Sequence, residues 1–325
     1  MRQIHWLSPY RFDDIRQIRG ANMASVRLRA GALLSSLSPS AGRLTLGDEI
    51  AQGSDLCIVG KIGAADVIQR SGNWLEQIRR FRERGGKLVL DYTDDHLRVE
   101  TPMSFFYREA IQQADLCVCS SRLLGKSLAE SYLGPVEVIP DAIEIEAIRP
   151  KQEAHVPVSI LWFGHSSNLK YLIEFLPVLQ SQQELKLLIL TNVEGIKILQ
   201  ATPLPIPLNL QVDAAEWGVE TMIEAAQHCD LCIIPSDPAD RRKAGASSNR
   251  LLTALALGLP TAAEKLDSYL EHESLFIDIR SEQFGALLAN PPSFANDVIR
   301  AQTGPVPAHE IGRIGEKWSA MLLGL

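Results

Sequence analysis

Several things are missing from this sequence, and each absence narrows the field. No apolar run is long enough to cross a bilayer, so the chain is not organised around membrane-spanning helices. The first residues, MRQIHWLSPYRFDD, turn polar too soon for a signal peptide, and a cytoplasmic location is the default expectation. There is no excess of positive charge: 32 Lys and Arg stand against 39 Asp and Glu, a net charge of −7. A field that would hold nucleic acid non-specifically is therefore absent and no nucleic-acid partner is expected, while peripheral membrane contact through a local patch stays open. Low-complexity segments are absent too. Cysteines are few, five in all. Cys229 and Cys232 have C-x-x-C spacing but lack a second pair of metal ligands, and Cys232 falls inside a strand-like run. The five read as small buried apolar residues, and no metal is expected.

What is present is an ordinary globular composition, 46% apolar and 22% charged, over 325 residues. That length favours two domains. Three near-repeats, SDLCIV, ADLCVC and CDLCII, each place an Asp before a short apolar run rich in β-formers. They read as strands buried on both faces of a parallel sheet. Strand-like runs at 4–7, 56–59, 87–92, 116–119 and 136–139 alternate with helical patterns at 24–37, 73–84, 103–113 and 122–132. After a connector at 141–157 the alternation resumes, with strands at 159–163, 185–190, 208–212, 231–234 and 260–263. Helices are expected between them at 169–180, 215–228, 249–257 and 281–289. The fold class is therefore α/β, two doubly wound Rossmann-like domains facing a cleft. The expected division is 1–150 for the first, 151–305 for the second, and 306–325 for a closing helix that packs back on the first. Ile311, Ile314, Trp318 and Met321 supply that helix with one apolar stripe.

The stretch KAGASSNRLLTALALGLPTAA joins a loop of small residues and cations to a helix that is apolar on nearly every face. The helix's first amides have no intrahelical partners and carry partial positive charge. Ser247, Ser248 and Asn249 can cap them locally. With the cations of RRKAGASSNR and small residues that permit close approach, the loop also suits an anion, most plausibly a phosphate.

At this point the chain resembles the GT-B glycosyltransferases, specifically the group 1 retaining enzymes of family 4 type. NRLLTALALGLPTAA is similar to their signature helix, which carries a Glu, seven residues, a second Glu and then Ala-x-Gly-x-Pro. Ala256, Gly258 and Pro260 match its second half. VIPDAIE looks like the family's VIPNGID at the domain junction. ILWFGHSSNLKYL is similar to the first strand and loop of the second domain, with Gly164 and Lys170 in register. ADLCVCSSRLLGKSLAE resembles a further family segment. The resemblance runs over most of residues 85–265 with its motifs in order. It implies a nucleotide-diphosphate-sugar donor, no bound catalytic metal and no other cofactor. Gly164, His165, Lys170, Lys243, Ser247, Ser248, Asn249 and Arg250 would hold the donor. Two departures stand out: the Glu pair falls on Gly245 and Thr253, and the family's usual Arg after Gly164 is His165.

On the acceptor side, KLVLDYTDDHLR places Asp91, Asp94, Asp95 and His96 at or just after a strand's carboxyl end, where doubly wound sheets put function. Asp94 or His96 is the expected catalytic group toward a glycan, lipid or small-molecule acceptor. Arg27 and Arg29, two apart on a helix, point to nearly opposite sides and read as surface residues. Two functions are open: sugar transfer, or a non-catalytic GT-B-like protein that binds a nucleotide, a glycan or a partner enzyme.

Overall fold

A computed structural model describes residues 1–325 other than 13, 22, 39–41, 63, 182, 241–244 and 246; for residues 64–68 it describes the backbone alone. The chain divides into two compact units. The first comprises Met1–Glu144, Asp240–Ser248 and Ala308–Leu325; the second comprises Ile145–Ala239 and Asn249–Pro307.

In the first unit six parallel strands form one sheet: β1 (Gln3–Leu7), β2 (Arg43–Gly47), β3 (Leu56–Val59), β4 (Lys87–Tyr92), β5 (Leu116–Cys119) and β6 (Val136–Val138). Their order is β2-β1-β3-β4-β5-β6. The chain starts in the sheet at β1, steps out to β2 and returns to β3 on the other side, so the winding reverses between β1 and β3. The helix Ala64–Glu83 turns Trp74, Ile78 and Phe81 into the core beside β3 and β4. On the opposite face the helices Gly31–Ser36 and Ile311–Leu323 pack together. Gly315 makes that contact possible: a Cβ there would lie 2.1 Å from the Ala32 carbonyl oxygen. Trp318 from the same helix meets Trp6 of β1 edge-on at 5.3 Å.

The second unit repeats the plan with β7 (Val158–Phe163), β8 (Leu185–Thr191), β9 (Leu210–Glu216), β10 (Leu231–Ile234), β11 (Thr261–Ala263) and β12 (Ile277–Asp278). All pair in parallel, in the order β12-β11-β10-β7-β8-β9. Here the reversal lies between β7 and β10, and the carboxyl ends of those strands are where such sheets bind ligands.

The three D-L-C repeats are β3, β5 and β10, every residue of which is buried. The Asp before each strand caps the amino end of a neighbouring strand. Asp55 accepts from the Gln3 amide at 2.7 Å, Asp115 from Leu88 at 2.7 Å, and Asp230 from Ser159 at 2.8 Å. A buried strand end would otherwise leave an amide unpaired. All five cysteines are free and buried. Burial pushes the Cys119, Cys229 and Cys232 thiols up to about 12, so none is a thiolate at neutral pH.

Arg27 and Arg29 are not surface residues. Both are buried in a helical segment, Val26–Ala30, that is covered on both sides. Arg27 pairs with Glu144 at 2.6 Å. Arg29 donates to Asp91 at 2.5 to 2.8 Å, to Asp141 at 3.0 Å and to the Ile139 carbonyl at 2.9 Å. Burial alone would lower the Arg29 pKa, but the carboxylates of Asp91 and Asp141 outweigh it and raise it. Asp91 is thereby removed from the candidates for chemistry: it is the fully buried partner of a structural arginine.

Candidate functional site

The helix Asn249–Ala256 buries Leu251 through Ala256. It ends in a Schellman motif: the Gly258 amide donates to Leu255 at 3.1 Å and the Leu259 amide to Ala254 at 3.2 Å. Gly258 has φ +83, and a Cβ there would lie 2.6 Å from the Ile148 carbonyl oxygen. That is the physical content of the Ala-x-Gly-x-Pro signature.

Arg250, in the helix's first turn, turns back against β7. Its Cζ lies 5.3 Å from the Trp162 ring centroid and 5.9 Å from that of Phe163. Gly164 follows Phe163 at the strand's carboxyl end and leaves room for the guanidinium: a Cβ there would be 3.3 Å from Arg250 Cζ and 3.1 Å from the Trp162 ring. Arg250 Nε and Nη2 are buried and have no hydrogen-bond partner among the described residues. The same holds for the buried Trp162 indole Nε1–H. No carboxylate joins this group among the described residues; its polar neighbours are Tyr269 and Cys232. Burial accordingly pushes the Arg250 pKa below its ordinary value. Buried charges in proteins are paired as a rule, which makes these two Arg250 nitrogens, at the reversal between β7 and β10, an exception among the described residues.

The remaining residues singled out on the donor side fall as follows. His165 is exposed and caps the short turn Ser166–Asn168; its Nδ1 accepts from the Ser167 amide at 3.2 Å, so the neutral ring carries its proton on Nε2. Lys170 is exposed at the start of the helix Leu169–Phe175, its ammonium 4.4 Å above the Tyr171 ring. The loop after β7 is tied to β8, since Asn192 Oδ1 accepts from the Ser166 amide at 2.8 Å. Asn249 is half-buried, Ser248 buried and Ser247 half-buried. Lys243 lies outside the described residues. Gly245, at the first Glu position of the family pattern, is buried: its carbonyl accepts from Ser121 Oγ at 3.2 Å, and a Cβ would sit 3.3 Å from Leu124. Thr253, at the second, is buried within the helix.

In the first unit, Asp94 and His96 come together beyond β4, and Lys61 beyond β3, which no sequence motif marks, joins them. Lys61 Nζ is 2.5 Å from Asp94 Oδ2, and His96 Nε2 is 3.8 Å from the same oxygen. His96 stacks on Tyr107 with centroids 4.6 Å apart and planes 10° apart. Burial is the main cause that lowers the His96 pKa; Asp94 opposes it and Lys61 reinforces it. Asp95 instead braces the loop, accepting from Tyr92 Oη, Ser127 Oγ and the Arg98 amide at 3.1 to 3.2 Å. Only its place at a strand end, not a spacing, would have pointed to Lys61.

A scan against protein-family models finds no match, and a search of curated proteins finds none. Solved structures do match over the full chain. An α-glucosyltransferase (AGT) in complex with UDP aligns with TM-score 0.64 at 10% identity, covering 99% of this chain and 100% of its own. The α-glucosyltransferase in complex with UDP and a 13-mer DNA containing a HMU base aligns at 0.62 and 11%, with full coverage of both chains. AviGT4, a glycosyltransferase involved in avilamycin A biosynthesis, aligns at 0.51 and 13%, covering 100% of this chain and 99% of its own. Among the described residues no helix is long and apolar enough to cross a membrane. With two six-stranded parallel sheets and these neighbours, the fold is that of the GT-B glycosyltransferases, built from two Rossmann-like units.

Proposed function

We propose that the chain is a glycosyltransferase that takes a sugar from a nucleoside-diphosphate donor to a hydroxyl-bearing glycan, lipid or small-molecule acceptor. The donor's diphosphate is held in the second unit by Arg250, by the backbone at Gly164 and by the amino end of the Asn249–Ala256 helix. His165, Lys170, Lys243, Ser247, Ser248 and Asn249 supply further donors. The observation that carries this reading is half-buried Arg250, whose buried Nε and Nη2 have no partner among the described residues at the β7–β10 reversal. A diphosphate satisfies both groups and the helix amides, and the same cation stabilises charge as the nucleoside diphosphate departs. Asp94 and His96 of the first unit are the acceptor-side groups. Retention of anomeric configuration is what the sequence resemblance implies, and no bound metal is required by this arrangement of cations.

The test is calorimetric titration with UDP, GDP and their glucose conjugates, followed by an assay of donor hydrolysis. Saturable binding that disappears in Arg250→Met, with turnover of the matching sugar nucleotide, supports transfer. A specific observation favours a second reading, a GT-B protein that binds without turnover. Neither position of the family's carboxylate pair carries an acid: Gly245 is buried, with Leu124 3.3 Å from where its Cβ would lie, and Thr253 is buried within the helix. Binding of nucleotide with no hydrolysis and no transfer to any acceptor tried would select that reading.

A further inference from the structure

β9 is an edge of the second sheet, and its outer side carries an unused row of backbone groups. Its register with β8 is unbroken from Leu185↔Leu210 to Thr191↔Glu216. The Leu185 amide donates to the Asn209 carbonyl at 2.8 Å, and the Trp217 amide donates to the Thr191 carbonyl at 2.8 Å. In a parallel ladder alternate residues face the partner strand, so the odd-numbered residues of this stretch bond to β8. The amides and carbonyls of Val212, Ala214 and Glu216 therefore point away from the sheet. Among the described residues no strand pairs with that side, and no other backbone hydrogen bond reaches those groups. Edge strands are usually blunted by a proline, a lysine or a bulge, and Leu210–Glu216 has none of the three.

Two features beside the edge define what fits it. The first is charge. From Leu210 to His228 the chain carries Asp213, Glu216, Glu220 and Glu224 and no lysine or arginine, and all four carboxylates are exposed. A second copy would set this acidic stretch against itself, whereas a cationic strand complements it. The second is an open hollow of about 500 Å³ at the amino end of β9, lined in part by Pro177, Pro205, Ile206, Pro207 and Leu208 and by no charged residue. Leu208, two residues before the strand, is fully exposed.

We infer that β9 is the docking edge for an extended basic segment of a partner protein, which adds to the sheet antiparallel to β9. Backbone hydrogen bonds to Val212, Ala214 and Glu216 hold the segment, and side chains select it. Asp213 and Glu216, three apart, fall opposite two cations three apart in the segment. The segment's carboxyl end, lying beside the amino end of β9, carries apolar residues toward Ile206 and Leu208. The inference is independent of the glycosyl-transfer reading: it concerns recruitment of a partner, not the donor or the acceptor.

The test is amide NMR on the full chain with the peptide acetyl-KVTKTVLL-amide as probe and acetyl-EVTETVLL-amide as its charge-reversed control. The lysine peptide is expected to shift the Val212, Ala214 and Glu216 amides and to slow their hydrogen exchange, and the glutamate peptide is not. Ala214→Pro removes one outward donor and leaves the bonds to β8 in place, so it should weaken peptide binding at least about tenfold without lowering the melting temperature appreciably. Asp213→Lys combined with Glu216→Lys should exchange the preference, so that the glutamate peptide binds and the lysine peptide does not. Both side chains are exposed, and loosened packing would not produce that exchange. No binding of the lysine peptide at millimolar concentration, undiminished binding in Ala214→Pro, or shifts confined to other strands would each overturn the inference. Concentration-dependent pairing of the chain through β9 in sedimentation would overturn it too, by making a second copy the occupant.

Discussion

Replacing Arg250 by Met separates stability from binding, because the two are expected to move in opposite directions. In the unliganded protein Arg250 buries Nε and Nη2 with no acceptor among the described residues. The desolvation this costs is several kcal/mol for an unpaired charge, offset in part by the faces of Trp162 and Phe163. Cation–π contacts return about 0.5–2 kcal/mol. Met keeps the length and the apolar contact and removes both opposing terms. The unliganded variant is therefore expected to be as stable as the wild type, or more stable by up to about 2 kcal/mol, which raises its melting temperature by up to roughly 8 °C for a unit of this size. With UDP the sign reverses. Two charge-assisted hydrogen bonds to the diphosphate are worth about 3 kcal/mol or more together, so affinity should fall by roughly a hundredfold or more. Thermal unfolding without ligand and calorimetry with UDP read the two effects separately. A variant that melts well below the wild type and still binds UDP normally would refute the reasoning, because Arg250 would then be a structural residue with an unseen partner.

Three further outcomes follow from the same geometry. Gly164→Ala should weaken UDP binding several-fold and lower stability by about 1–3 kcal/mol, because the new methyl is 3.3 Å from the Arg250 carbon and 3.1 Å from the buried Trp162 ring, and both must shift. Gly258→Ala should destabilise by about 3 kcal/mol or more in a denaturant titration, since φ is +83 and its Cβ meets the Ile148 carbonyl at 2.6 Å. Asp91→Asn should cost about 3–5 kcal/mol by leaving buried Arg29 short of a counter-charge. The pH dependence has a definite sign. Burial lowers the pKa of both His5 and His96 from the ordinary value of 6.5. Well above pH 6.5 neither ring makes stability depend on pH. Below it the unfolded chain takes up protons first, so unfolding in urea should become easier as the pH falls from about 6.5 toward the lowered folded values. An increase in stability across that interval would contradict the assignment of both rings as buried and neutral.

Much of the architecture was legible in the sequence because the strands are short, apolar and buried on both faces. Leu56–Val59, Lys87–Tyr92, Leu116–Cys119 and Leu231–Ile234 begin and end where the hydrophobic runs do. The D-L-C repeats gave three of these away, and the structure supplies the reason in the aspartates that cap neighbouring strands. Strand β2, with RLTLG at the sheet edge, and two-residue β12 have too little apolar pattern to be seen. β9 runs to Glu216 where a helix was expected from 215: it is an edge strand with mostly exposed side chains, and its polar end reads like a helix start. Pro177 ends the helix begun at Leu169 early, in a 3-10 turn. At the site, the small-residue loop and Arg250 were visible as a cationic helix start, but the aromatic seat formed by Trp162 and Phe163 was not. Those residues lie about ninety positions earlier in a strand read only as core. Lys61 was missed for the same reason, since it meets Asp94 only because β3 and β4 are adjacent. Arg27 and Arg29 were misread because helical spacing says which way two residues point but not what covers each side.

A crystal structure with UDP bound tests the central claim most directly. Diphosphate oxygens are predicted within hydrogen-bonding distance of Arg250 Nε and Nη2, beside Gly164 and the first turn of the Asn249–Ala256 helix. UDP seated elsewhere, with the guanidinium still lying unpartnered against Trp162 and Phe163, would contradict it.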